Sequence, residues 1–346
     1  MLAPFDNSAF LNGLRDRGFY IPDEATSNYE KTEASIPSSL NMSYLEGFEK
    51  LGDAEKRKGQ ELTKDPLVAR ILIGLGYRYV QLVTGFPTTG SSIRADLVVD
   101  FGPSGPIVIR NRGGPPGDSK TPQPVPNRFP QEFAQTTLLQ PFLDTIINAD
   151  ERAPYSWPHP ARTLATFQFL KTVPDIEGPT FTFAHIIKPH HPFNFDRNGN
   201  ISPYLFPGFS DDHDPSVPSA YIGQLLYVNQ LVLDTVDAIL RESAEPPIIV
   251  LSSDHGTGHG PGPDPRHAIF AAYLLPGGGD AALYPSISSV NSFRVVFDHY
   301  FNLGLGLLED RAIFFAVDSM ESANPAPDRP STAGQVQRKD DRQVGG

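Results

Sequence analysis

The sequence predicts an α/β fold in which a largely parallel central sheet carries helices on both faces. Two observations carry that expectation. Segments of helical periodicity alternate with short apolar runs along most of the chain, the pattern of repeated βα units. The run Ile248-Ile249-Val250-Leu251 is aliphatic without alternation, as in a strand covered on both faces, and it leads directly into Ser253-Asp254-His255-Gly256. Ligands in such sheets collect at the carboxyl ends of strands.

Taken in order, residues 5–19 read as a helix with apolar positions Phe10, Leu11 and Leu14 and a stop at Gly18, followed by a short strand from Phe19 to Ile21. A polar loop from Ser27 runs into a helix rich in small hydroxyl residues ahead of Met42. Val68 to Leu75 reads as a helix and Tyr79 to Val83 as the strand after it. The Pro- and Gly-rich stretch 103–127 reads as a solvent-exposed loop. Gln131 to Ala149 and Arg162 to Leu170 have helical patterns, and Thr180 to Ile187 is a β-branched and aromatic strand. Tyr221 to Ser243 places Ile222, Leu225, Leu226, Leu233, Val236, Ile239 and Leu240 on one stripe of a helix. Ala268 to Leu275 is a further strand and Val290 to Phe301 a further helix. Residues 1–320 are expected to form one catalytic region, and 321–346, polar and Pro-rich, a disordered tail.

With 346 residues, 39% of them hydrophobic, the chain can bury a sizeable core. A formal net charge of −12 and no cluster of Lys and Arg argue against a nucleic-acid groove or an anionic membrane surface. The absence of cysteine removes disulfides, thiolate metal sites and cysteine nucleophiles together. No run approaches the roughly 20 apolar residues of a membrane span, and no basic-then-apolar signal pattern opens the sequence.

The chemistry concentrates at strand ends. Asp254 offers a hard oxygen and His255 a borderline nitrogen, a pair that suits Zn²⁺ or Mn²⁺; the same residues also fit an ordinary turn after a strand. The Thr180 strand ends at His185 and leads into His190 and His191. Each of these has a structural alternative, yet two strand ends carrying such groups point to one site. Thr32, at the start of a helix, is the best-placed nucleophile, since helix dipole and free N–H groups favour an anionic substrate there; the alternative is an N-cap.

These residues resemble the sulfatase-like branch of the alkaline phosphatase superfamily, which includes lipoteichoic acid synthases and phosphoethanolamine transferases. Thr32-x-x-Ser35-x-Pro37 resembles the nucleophile segment, His185-x4-His190-x-Pro192-Phe193 the substrate loop, and Ser253-Asp254-His255-Gly256 the metal motif. Arg266-x6-Tyr273-x2-Pro276 and Val290-Asn291-x-Phe293-Arg294 resemble further elements of one bacterial subgroup. The resemblance implies an α/β/α sandwich and Thr32 as nucleophile. It also implies Thr32, Asp254 and His255 as ligands of Zn or Mn, His190 as catalytic, and His185 and His191 as substrate-binding. It implies a small-molecule, lipid or glycan phosphate ester as substrate, and a membrane-anchored, extracytoplasmic setting. Sulfatases of the usual kind use a Cys or Ser modified to formylglycine within Cys/Ser-x-Pro-x-Arg. This segment has neither the Cys nor the Arg, which turns the expectation toward phosphate esters and leaves sulfate esters as the weaker alternative. Relatives also carry an acidic metal ligand at the end of a first strand, which nothing before Thr32 matches; the alternative to an enzyme is therefore a non-catalytic family member.

Overall fold

The computed structural model describes residues 5–48, 53–83, 85–102, 105–111, 160–201, 217–257 and 265–315. Chain contacts divide the protein into residues 1–315 and 316–346, and the described residues all belong to the first unit. The helices are α1 (Ser8–Arg15), α2 (Thr32–Asn41), α3 (Asp53–Lys64), α4 (Leu67–Gly74), α5 (Pro160–Leu170), α6 (Val217–Glu242) and α7 (Ser289–Phe301). The strands are β1 (Arg78–Leu82), β2 (Leu97–Gly102), β3 (Gly105–Asn111), β4 (Thr180–Ala184), β5 (Ile249–Ser252) and β6 (Ala271–Leu274).

The fold is α/β with a parallel three-stranded core. β1 lies between β2 and β4 and is parallel to both, with Val80 opposite Leu97 and Thr182. β3 closes one edge antiparallel to β2. Because side chains alternate along a strand, each face has its own helix. Tyr79, Val83 and Val98 pack with Ala69 and Ile73 of α4, and Phe181 and Phe183 join them. Val80, Leu82, Val99 and Phe101 pack on the opposite face against Ala165 and Phe169 of α5.

β5 and β6 form a second, antiparallel ladder. It too is covered on both faces: Ile249, Leu251, Ala272 and Leu274 meet α1 and α6, whereas Val250, Ala271 and Tyr273 meet Val295 and Val296 of α7. Among the described residues β5 has no parallel neighbour. Its faces are covered, which is what its aliphatic run encodes, but its hydrogen-bonded neighbour is the antiparallel β6. Among the described residues neither β4 nor β5 has a second strand beside it.

Other differences follow from chemistry. Residues 105–111, expected within a Pro- and Gly-rich loop, are strand β3, built on the β-branched run Ile107-Val108-Ile109. The rest of that loop from 112, the helix expected over 131–149 and the tail from 321 lie outside the described residues. The strand expected from Phe19 to Ile21 is reduced to one bridge between Tyr20 and Tyr273. α3 has no apolar stripe in its sequence, and its place is set instead by close contact with α2: a Cβ at Gly59 would lie 2.2 Å from the Glu33 carbonyl oxygen.

The α7 motif explains itself as a clasp. Asn291 pairs with both backbone groups of Leu308, its Nδ2 donating to the carbonyl at 2.8 Å and its Oδ1 accepting the N–H at 2.9 Å. Arg294 donates to the carbonyls of Met42, Leu305 and Gly306. In the second motif, the Arg266 carbonyl accepts from the Gly256 N–H at 2.6 Å, Tyr273 Oη meets Ser292 Oγ, and Tyr300 Oη donates to the Pro276 carbonyl. Both motifs hold backbone in place.

Candidate active site

α2 begins beside the end of β5. Lys31 is the extended residue before the helix, Thr32 is the first helical residue, and no side chain caps the terminus. The Thr32 hydroxyl instead donates to Asp254 Oδ2 at 2.5 Å. One turn later the Ser35 hydroxyl donates to the Asp254 carbonyl. Two residues three apart share a helix face, so a single edge of α2 grips both the side chain and the backbone of Asp254. The N–H groups of Thr32 and Glu33 have no hydrogen-bonded protein acceptor among the described residues, as expected of a first helical turn.

His255 stands next to Asp254, its Nε2 3.6 Å from Asp254 Oδ2. Its Nδ1 is 2.8 Å from the Gly256 carbonyl oxygen, which can only accept, so Nδ1 carries a hydrogen, and Nε2 holds the lone pair whenever the ring is neutral. Gly256 has no room for a side chain, since a Cβ there would lie 2.1 Å from the Pro265 carbonyl oxygen.

His185 follows β4. Its Nδ1 lies 3.0 Å from Thr89 Oγ1, and its ring meets the edge of Phe86. Thr89 is itself backed by Gln81, which donates to the Thr89 carbonyl at 2.8 Å, and Gln81 accepts from the Tyr79 hydroxyl. Burial pushes the His185 pKa below its ordinary value and keeps the imidazole neutral. Asp254 is the opposite case. Burial raises its pKa, but the attraction of His185 and His255 in their cationic forms and the hydrogen bond from Thr32 more than offset it, leaving the carboxyl below its usual range and ionised at neutral pH. With His185 held neutral, the hydrogen bond from Thr32 is the part of that balance that stands without a charged imidazole.

His190 and His191 sit on the loop after β4, between cis Lys188–Pro189 and His191–Pro192 peptide bonds. Their rings pack with centroids 4.2 Å apart, and His190 Nδ1 donates to the His191 carbonyl at 2.7 Å. His190 is close enough to His185 to disfavour its protonation. Burial, His190 and Lys188 lower the pKa of His191.

The structure thus brings Thr32, Asp254 and His255 into one cluster, with His185 electrostatically coupled to it and His190 and His191 on the adjoining loop. Ser35, Thr89, Lys188 and Gln224 were not singled out individually by sequence reasoning. Ser35 is marked by its spacing from Thr32, and Lys188 by its place in the histidine loop; Thr89 and Gln224 have no local signal. His267 is buried against Phe314 with Nε2 3.3 Å from the Ile313 carbonyl oxygen, a structural position. His159, His213 and His259 lie outside the described residues.

The C-terminal periplasmic domain of EptC from Escherichia coli aligns with a TM-score of 0.47 at 13% identity, covering 85% of this chain and 75% of that one. The C-terminal periplasmic domain of the phosphoethanolamine transferase EptC from Campylobacter jejuni aligns with a TM-score of 0.46 at 12% identity, covering 87% and 83%. Similarity at this level assigns no residue. No curated protein matches the sequence significantly. The family model for sulfatases matches residues 122–293, just under half of the chain and a span that contains the histidine loop, Asp254 and His255, and over that span the chain is similar to sulfatases.

Proposed function

We propose that this protein is a metal-dependent hydrolase or transferase acting on phosphate-type esters, with Thr32 as its nucleophile. The similarity of residues 122–293 to the sulfatase family supports the enzyme class, a sulfatase-like hydrolase or transferase. The observation that carries the finer reading is the 2.5 Å hydrogen bond from Thr32 Oγ1 to Asp254 Oδ2 at an uncapped helix start.

The donor set fits a divalent cation. Thr32 Oγ1 and His255 Nε2 both lie beside Asp254 Oδ2, and the Gly256 carbonyl accepts from His255 Nδ1 in the manner of an outer-shell partner, leaving Nε2 of the neutral ring free to donate its lone pair to a metal. Zn²⁺ or Mn²⁺ held there would neutralise negative charge and favour the Thr32 alkoxide. Thr32 Oγ1 attacks phosphorus as its proton passes to Asp254 Oδ2, the carboxylate oxygen that it already contacts. The phosphorus–oxygen bond to the leaving group breaks, and His190 in its protonated form gives that oxygen a proton. In this reading the N–H groups of Thr32 and Glu33 bind non-bridging oxygens. Water or an acceptor alcohol then releases the phosphothreonine, its proton returning to His190 as the Thr32 oxygen leaves and recovers the proton held by Asp254.

Thr32→Ala is expected to lower manganese- or zinc-dependent turnover of bis(4-nitrophenyl) phosphate by at least about a thousandfold with unchanged circular dichroism, and Asp254→Ala to remove metal and activity together. Rates near wild type in Thr32→Ala would refute the nucleophile.

A second reading has its own observation. Among the described residues no three His, Asp or Glu side chains converge as a metal cage, which favours a non-catalytic family member. That reading requires no metal uptake in equilibrium dialysis and no Thr32-dependent turnover. Sulfate esters are the weaker substrate alternative, tested by 4-nitrophenyl sulfate in the same assay. No helix among the described residues is long and apolar enough to cross a membrane. The proposed setting is the extracytoplasmic face of a membrane, with a lipid, glycan or small-molecule phosphate ester as substrate.

A further inference from the structure

We propose that Lys188 and Gln224 are positioning residues of the candidate site: a two-sided clamp on the backbone of the histidine loop that fixes where His190 presents its imidazole. The inference rests on the reading of His190 as a site residue. Gln224 is fully buried on α6 and spends its amide on the loop's main chain. Its Nε2 donates to the carbonyls of Pro189 at 2.9 Å and His190 at 3.1 Å, and its Oε1 accepts the Asn194 N–H at 3.0 Å. Lys188 closes the loop from its own chain, with Nζ donating to the Pro192 carbonyl at 2.8 Å and to Asn194 Oδ1 at 2.9 Å and lying 5.9 Å from the Phe195 ring centroid. Both limbs are therefore held, residues 189 and 190 on one side and 192 and 194 on the other. The His190 ring is then oriented by its own hydrogen bond to the His191 carbonyl and by packing on the His191 ring.

Both residues are costly ways to order a loop. A leucine at 224 would fill the space without burying an amide that must be fully hydrogen-bonded. Lys188 meets neutral acceptors, and burial holds its ammonium down to about 7. Such groups beside a candidate site, aimed at the backbone that carries its histidines, fit positioning better than packing.

The test is a double-mutant cycle through His190. Turnover of bis(4-nitrophenyl) phosphate with Mn²⁺ is measured for wild type, Q224L, K188M and H190A, and for each clamp variant combined with H190A. Q224L and K188M are each expected to lower kcat by about tenfold or more with KM changed by less than about threefold, and the loss should vanish in the H190A background. K188R should recover part of the K188M loss. Losses that persist undiminished beside H190A, or an unchanged kcat in both single variants, would overturn the clamp. Histidine ¹⁵N spectra give a reading independent of activity: His190 should carry its hydrogen on Nδ1 in wild type and become a tautomer mixture in both variants. If wild type has no turnover that Thr32→Ala removes, the enzyme reading fails, and these spectra decide the clamp alone, with an unchanged His190 signal refuting it. Should Q224L not fold, K188M carries the same comparison.

Discussion

At Lys188 the physical chemistry predicts an unusual pH response. An ordinary lysine titrates near 10.4 in the unfolded chain, whereas burial lowers this one to about 7 in the folded protein. Between those values the unfolded chain binds a proton that the folded chain does not, so stability rises with pH across that window, and the penalty is fully present below its lower end. Lys188→Met removes the titrating group along with its hydrogen bonds. The melting temperature of the variant minus that of wild type is therefore expected to be several degrees more positive at about pH 6.5 than at about pH 9.5. Equal differences at the two pH values would show that the ammonium is not disfavoured by burial. Asp254 titrates in the other direction. Its carboxyl is held below the usual range, so the stability it contributes is present at neutral pH and lost as pH falls through its folded value.

At the scale of elements, the contact between α2 and α3 sets the position of Thr32. Gly59 presses against the Glu33 carbonyl, where a Cβ would come within 2.2 Å of the oxygen, and backbone cannot yield as a flexible side chain can. Gly59→Val is expected to destabilise the fold by about 2 kcal/mol or more in urea titration, and to reduce Thr32-dependent turnover further than the stability loss explains. A variant as stable and active as wild type would mean that α3 can stand off from α2. This pair also shows what the sequence made legible. Helices with an apolar stripe, such as α6, and strands with an aliphatic or β-branched run, such as β1, β4 and β5, could be read locally. α3 could not, because its place depends on one glycine meeting a distant carbonyl and not on a hydrophobic face. β2, mixed in pattern, and the pairing of β5 with β6 were likewise tertiary matters, since an aliphatic run encodes covered faces but not the direction of the neighbour. Thr32, Asp254 and His255 were legible as motifs at element ends. Thr89 and Gln224 were not, because their meaning arises only where separate elements meet.

Across the whole molecule, the segment from Leu303 to Phe315 ties the end of the described chain back to the nucleophile segment. Asn28 is fully buried: its Oδ1 accepts the Val290 N–H at 2.7 Å, and its Nδ2 donates to the Arg311 carbonyl at 2.9 Å. The Asn28 carbonyl accepts the Ile313 N–H at 2.9 Å, and Tyr44 Oη donates to the Glu309 carbonyl at 2.6 Å. Asp310 receives the Ser288 and Asn291 side chains, and Phe315 joins the core with Tyr29 and Phe48. Loss of this segment would strand the donors of Asn28 four residues before Thr32 and open the core beneath it. Residues 316–346 form a separate unit by contact. Removing 316–346 is therefore expected to shift the melting temperature by no more than about 2 °C and to leave turnover unchanged. Removing 303–346 is expected to abolish cooperative unfolding or to lower the melting temperature by more than about 10 °C. Differential scanning calorimetry of the two truncations decides the matter. A large loss in the shorter truncation would place part of the stabilising framework beyond Phe315, and a mild effect of the longer one would show that the nucleophile segment holds its shape without the clasp.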